Sequence, residues 1–322
     1  MNDHEFDLIC SLDAFPADDT AQKLSVSEET FLVIKQQLQC RQYRKALRLH
    51  RQDKSLKRYV ARLDGGESMS EIARSVNFSP CMMARLLLDA KYGWSKSTIS
   101  SFFKELMQDE VTDANPPSDR RGLSEEEYAR VVHEVQICID EDVHCSPFAD
   151  RIRHNMGVEY EYLLLETLRN RHLAFENEEM LREKGLSKTP DVRLLLPIGV
   201  TNPTSGQLHV VNWIDSKAMF GDRETHETEN MSQLQGYVNR YGPGMVIYWF
   251  GHIAQLNSDG VILVTDSFPQ KISLPGGFNP LATISKVEEG TEIKLQPAQA
   301  QVEFDSDWSP ITTFELYEPD IK

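Results

Sequence analysis

The chain has no apolar run long enough to cross a bilayer, and its first residues, MNDHEFDLIC, lack the basic start and apolar stretch of a secretion signal. No membrane partner is expected, and the protein reads as intracellular. Cysteine is scarce and unpatterned: Cys10, Cys40, Cys81, Cys138 and Cys145 are odd in number and include no C-x-x-C pair. That argues against a disulfide framework and a structural zinc site, leaving reduced and mostly buried thiols. Glycine forms neither a Walker loop nor a dinucleotide-binding fingerprint, so nucleotide-driven chemistry is not indicated. His209, His226 and His252 are too dispersed for zinc and read as ordinary core or surface residues.

Basic charge is also in deficit, 34 Lys and Arg against 50 Asp and Glu, for a net −16. Taken whole, that balance counts against a nucleic-acid partner, because phosphate binding runs on Lys and Arg. Its distribution points the other way. Residues 1–30 and 287–322 carry −7 each, leaving −2 for everything between. Within that middle, residues 35–62 hold ten Lys or Arg against one Asp. Arg41, Arg44, Lys45, Arg48 and Arg51 are the candidate phosphate contacts for DNA or RNA. The plain alternative is a solvated helix face.

The 322 residues, 40% hydrophobic, suffice for two cores. Residues 1–27 and 287–322 read as flexible acidic tails, 28–112 as a helical region, and 113–123, with its Pro-rich DANPPSDRRG, as a linker. Within the helical region, Ser68 to Leu88 has the outline of a helix-turn-helix, the second helix opened by Ser79 as N-cap and Pro80 at the first position. A plain helical bundle is the alternative. Residues 124–286 read as an α/β domain led by a helix that Ser124 and Glu127 would cap. Helices and strands alternate through DVRLLLPI, the turn NPTSGQ, LHVVNWIDSK, the helix ENMSQLQGYVNRY and GMVIYWFGHI, predicting an α+β chain with a mixed central sheet. Gly221 to Asn230 reads as a solvated acidic loop.

The stretch NWIDSKAMFGD carries the chemistry. Side chains alternate on a strand, so Asp215 and Lys217 project from one face, and a hairpin with the preceding strand brings Asp191 beside Asp215. Two carboxylates at about 4 Å repel by roughly 4 kcal/mol at an effective dielectric near 20. A divalent cation turns that repulsion into attraction, and hard oxygen ligands suit Mg²⁺ or Mn²⁺. On the helix before the first strand, Glu159 and Glu161 each lie about 100° from the apolar stripe, and periodicity leaves the choice between them open.

Asp191 after Pro190, then Asp215-Ser216-Lys217, resembles the PD-(D/E)xK nuclease signature. With KTPD, WIDSKAMFGD, RYGPGMVIYWFG and SPCMMARLLL, the stretch from Phe78 to Leu274 resembles the codanin-1-interacting nuclease family, whose kin include Holliday-junction-resolvase-like enzymes. It departs at Asp215, where the family pattern has Glu; the superfamily accepts either. The resemblance implies a restriction-endonuclease-like α/β/α domain and Mg²⁺-dependent (or Mn²⁺-dependent) cleavage of DNA or RNA. It implies Asp191 and Asp215 as metal ligands, Lys217 at the attacking water and Glu161 as a further ligand or relay. Gln233 and Tyr237 match the QxxxY element of RecB-like members and would position substrate. A codanin-like partner and a nuclear, also cytoplasmic, location are implied as well. A non-catalytic adaptor that keeps the fold is the rival.

Overall fold

The computed structural model describes residues 1–13, 26–107, 120–203, 205–258, 260–276 and the backbone of 314–317. Contacts divide the chain into two units, Leu32–Met156 on the one hand and Met1–Phe31 with Gly157–Lys322 on the other.

The first helix, α1 (Asp3–Ser11), belongs to the second of these units. Asn2 accepts from Glu5 N while Glu5 accepts from Asn2 N, both at 2.9 Å, a reciprocal cap at the helix start. Ile9 is buried, and Phe6 stacks on Phe220 with ring centroids 5.6 Å apart. Residues 1–13 therefore do not fit the expected acidic tail over 1–27, since two apolar side chains give the helix a face to bury; residues 14–25 lie outside the described ones.

The helical unit runs through α2 (Glu28–His50), α3 (Asp53–Asp64), α4 (Met69–Ser75), α5 (Pro80–Tyr92), α6 (Lys96–Glu105) and α7 (Glu125–Glu141). Ser68, Ser79, Ser95 and Ser124 each accept a backbone N–H of the helix they open, and Gly93, at φ 66°, ends α5 in the left-handed region. The expected pair α4–α5 is present, with its turn at Asn77 (φ 49°). Helix α5 packs against α3, α4, α6 and α7, and Cys81, Met83, Ala84 and Leu86 to Leu88 are buried. Asp89 and Ala90 are exposed and Pro80, Met82, Arg85, Lys91 and Tyr92 half-buried. The bundle alternative describes this unit.

Helix α7 packs there too, through Tyr128, Val131, Val135 and Cys138, rather than leading the α/β domain as expected. Its apolar stripe meets α5, and the boundary falls inside α8 (Pro147–Asn170), between Met156 and Gly157. Of the expected linker 113–123, residues 113–119 lie outside the described ones.

The second unit continues with β1 (Phe175–Asn177), α9 (Glu178–Glu183), β2 (Val192–Thr201), β3 (Leu208–Lys217), α10 (Met231–Tyr241), β4 (Gly244–Tyr248), β5 (Ile262–Thr265), β6 (Ile272–Pro275) and β7 (Phe314–Tyr317). The sheet order is β5-β4-β3-β2-β6-β7, with β1 also on β2; β3, β4 and β5 run parallel and the remaining pairs antiparallel. Leu164 and Leu168 of α8 pack on Val192, Ile198, Ile214, Met245 and Leu263, while Tyr237 of α10 meets Trp213 edge-on at 5.3 Å. Helices thus cover both faces, and the chain is α+β with a mixed sheet. Any side chain at Gly244 would overlap the Trp213 ring, so the strand's first residue has to be glycine. Two strands were not anticipated: β6, which pairs with β2 at Gly199 and Ser273, and β7, the described piece of the expected tail 287–322.

Candidate active site

Strands β2 and β3 form an antiparallel hairpin in which Val192 faces Ile214 and Arg193 faces Trp213. Asp191, just before β2, is thereby carried to the far end of β3, where its Oδ2 accepts from Ser216 N at 2.6 Å. Beyond Arg193 the register shifts, and pairing resumes at Ile198 opposite Val211. Pro197 sits in this irregular stretch, where its missing N–H does no harm. The ladder is regular where it sets the two carboxylates.

Asp215 is in the central strand and fully buried, with Oδ2 2.7 Å from Lys217 Nζ; the Lys217 side chain is 17% exposed. Burial raises the Asp215 carboxyl above the usual range. Lys217, ion-paired to Oδ2, and the Tyr237 hydroxyl pull it back. Asp191 is raised well above its ordinary value, by burial first and the Asp215 charge second, against the Ser216 N–H and Lys217. Burial pulls the Lys217 ammonium down, but Asp215, Asp191 and Glu161 together lift it above its ordinary value. Three carboxylates thus act on one ammonium. Two buried carboxylates side by side, with Lys217 the ammonium on Asp215 Oδ2, form an oxygen-rich donor set of the kind a divalent cation takes.

The two glutamates that periodicity leaves open act on different groups. Glu161 acts on both Asp191 and Lys217, whereas Glu159 acts on Tyr160. Among the described residues, no group of three or more His, Cys, Asp or Glu is placed to hold a metal ion, so the fit to Mg²⁺ rests on the Asp191–Asp215 pair. Two carboxylates suffice for that ion, which keeps water and substrate phosphate as its other ligands.

From α10, Gln233 Oε1 accepts from Lys217 Nζ at 3.4 Å and its Nε2 donates to Tyr237 OH at 2.5 Å. Burial and the Asp215 charge raise the Tyr237 phenol, which keeps its proton. A cleft of about 440 Å³ lies alongside, lined by Glu178, Lys188, Thr189, Ser232, Gln233 and Tyr237. Lys188, three residues before Asp191, has a left-handed backbone (φ 54°), a conformation long side chains rarely adopt.

Gly221 to Asn230 is not the solvated loop expected from its charge. Glu224–Asn230 is a π-helix with Thr225 and His226 buried. His226 Nδ1 and Asn230 Nδ2 both lie 3.1 Å from the Tyr248 hydroxyl, and Tyr248 stands opposite Lys217 in the parallel ladder. Nothing in so polar a string marks the two residues that turn inward; the cue lay in Asp222, which accepts from Thr225 N and Oγ1 at 2.9 Å.

Of the basic set on α2 and just after it, Arg44, Lys45, Arg48 and Arg51 are exposed. Arg41 is 7% exposed and is corrected out of the phosphate-facing group. No described helix is long and apolar enough to cross a membrane.

A family model described as a protein of unknown function with a TPD sequence-motif matches residues 127–268, a range that holds Thr189-Pro190-Asp191. The chain is 38% identical over 214 residues to the CDAN1-interacting nuclease 1 of Xenopus laevis, covering 64% of this chain and 63% of that one. The Homo sapiens protein of that name is 35% identical over 204 residues, covering 63% and 66%. The Gallus gallus protein is 30% identical over 258 residues, covering 77% of this chain and 84% of the relative. The chain thus spans just under two thirds of the Xenopus relative's length. No solved structure matches.

Proposed function

Because the chain belongs to the CDAN1-interacting nuclease 1 family, we propose that it is a metal-dependent nuclease hydrolysing phosphodiester bonds of DNA or RNA on a PD-(D/E)xK fold. The observation that carries this reading is the meeting of Asp191 and Asp215 at the hairpin's end, two buried carboxylates both raised by burial and sharing the Lys217 ammonium. Asp191 and Asp215 would hold Mg²⁺ or Mn²⁺, with Glu161 at the rim. When bound, such a cation supplies Lewis acidity at the phosphoryl oxygen and lowers the pKa of a coordinated water.

The residues do the remainder. Lys217, held as an ammonium by its carboxylates, is a donor and not a base. It stabilises negative charge building on the phosphoryl oxygen as water attacks phosphorus and the bond to the leaving oxygen breaks. Gln233, tethered to Tyr237, fixes where that ammonium points. Glu161, exposed and with its charge acting on Asp191 and Lys217, would take the proton from water. The cleft lined by Lys188 and Gln233 offers a path for the nucleic-acid backbone.

The relatives' name states interaction with CDAN1, and a codanin-like protein is proposed as a partner here too. One feature favours the adaptor reading: Lys217 closes over a fully buried Asp215 at 2.7 Å. A cleavage assay over single-stranded, duplex and branched substrates, with Mg²⁺, Mn²⁺ or chelator, decides. Cation-dependent cleavage lost in Asp215→Asn supports the enzyme; no cleavage and no calorimetric cation binding leave the adaptor.

A further inference from the structure

Four of the five cysteines lie in the helical unit, and they fall into two classes. Cys81 and Cys138 are buried, their thiols pushed far up by burial, and are unreactive. Cys40 on α2 and Cys145 in the turn between α7 and α8 are half-buried and 105 positions apart in sequence, and each thiol is the largest influence on the other's proton affinity. Cys40 Sγ also lies 3.4 Å from the His144 carbonyl oxygen, so backbone and side chain of the turn both meet it. That turn is held firmly: Asp142 Oδ1 accepts from His144 N at 3.0 Å and Cys145 N at 2.7 Å.

We propose that Cys40 and Cys145 form a modification site, a dithiol that hydroperoxides convert to a disulfide joining α2 to the α7–α8 turn. The charged and titratable groups facing Cys40 are Arg44 and Tyr43 from its own helix, Arg153 from α8, and Asp142, His144 and Cys145 from the turn. The Cys145 thiol, aided by Arg153 and Arg44, lowers the Cys40 thiol to about 7 against burial. A thiol with a pKa near ambient pH and a neighbour within reach is the arrangement that oxidises readily and resolves to a disulfide. The Cys40 thiolate attacks a peroxide oxygen, the O–O bond breaks and hydroxide leaves, giving a sulfenic acid. The Cys145 sulfur then attacks Cys40 sulfur, the S–O bond breaks, and the departing hydroxide takes the Cys145 proton as water. Two thiols lose one electron each, and the peroxide takes up both.

The test uses the full chain treated with hydrogen peroxide and mapped by peptide mass spectrometry without reductant. The expected result is a Cys40–Cys145 linked peptide that dithiothreitol separates. In the untreated protein, Cys40 alkylates about tenfold faster at pH 7 than an ordinary thiol, with a rate that rises through about pH 7. Cys145→Ser should accumulate a dimedone-reactive sulfenic acid on Cys40 instead of the link. Sulfinic acid on Cys40 without a link in the wild type, linkage of other cysteines, or alkylation of Cys40 at an ordinary rate would each overturn the assignment. The wild-type map stands even if a variant fails to fold.

Discussion

Asp142 in the helical unit and Asp215 in the sheet unit are both buried, and the two are treated in opposite ways. In the helical unit, Asp142 is 3% exposed and surrounded by donors: Oδ2 accepts from Ser79 Oγ and from Cys81 N at 3.1 Å, and Oδ1 from the backbone of His144 and Cys145. In the sheet unit, Asp215 is buried as deeply, meets the Lys217 ammonium at 2.7 Å with no backbone donor among the described residues, and lies beside a second carboxylate whose proton affinity it raises. A carboxylate used as a staple is held by fixed backbone groups, whereas Asp215 is set among titratable side chains. The contrast marks Asp215 as the candidate functional group without reference to any relative.

The comparison is tested most severely by activity. Asp215→Asn and Lys217→Ala should each lower cation-dependent cleavage by about 10³-fold or more, measured as single-turnover rates on a labelled oligonucleotide. Asp142→Ala, which touches none of those groups, should leave cleavage per folded molecule unchanged.

Stability should show the reverse ranking. Removing Asp142 strands buried donors, and Asp142→Ala should cost about 3 kcal/mol or more in denaturant unfolding. Asp215→Asn should instead raise the melting temperature of the cation-free protein. Equal losses from both variants would erase the distinction.

A smaller effect concerns pH. Asp191 and Asp215 are raised in the folded state, so the stability they contribute is complete below their ordinary value of 3.8 and is lost as pH rises through the folded values. Thermal unfolding of the cation-free protein should therefore show a stability decrement on raising pH above that value that Asp191→Asn reduces and added Mg²⁺ offsets.

The smallest effect is that of each surface cation. Changing Arg44, Lys45, Arg48 and Arg51 to Gln should flatten the salt dependence of duplex binding by about 0.9 per lost contact, less than a twofold change in affinity per doubling of salt. Arg41→Gln should affect folding and not the salt slope, because its side chain is buried.

Much of the site was legible because it depends on short-range rules. Strand β3 coincides with LHVVNWIDSK, and the hairpin with its six-residue loop carries Asp191 to Ser216, as alternation and turn chemistry require. What escaped depends on tertiary packing. Helix α1 lies in an acidic stretch and is recognisable only once Phe220 is there to receive Phe6. Strand β6 is four residues long, and β2 selects it through one pairing at Gly199. Arg41 shares its charge with its neighbours, and only the fold turns it inward. Glu161 and Glu159 are equivalent on a helical wheel until Asp191 and Lys217 break the tie.

Trp249 follows directly after β4, and its indole N–H donates to Ser216 Oγ at 2.8 Å, Ser216 lying between Asp215 and Lys217. The same ring stacks on Tyr160, the residue before Glu161, with centroids 5.2 Å apart. One fluorophore therefore touches the immediate neighbours of three site groups, and a change of charge at those groups alters the field across its indole. Its emission is a built-in optical gauge of the site, usable in a cuvette with neither substrate nor label.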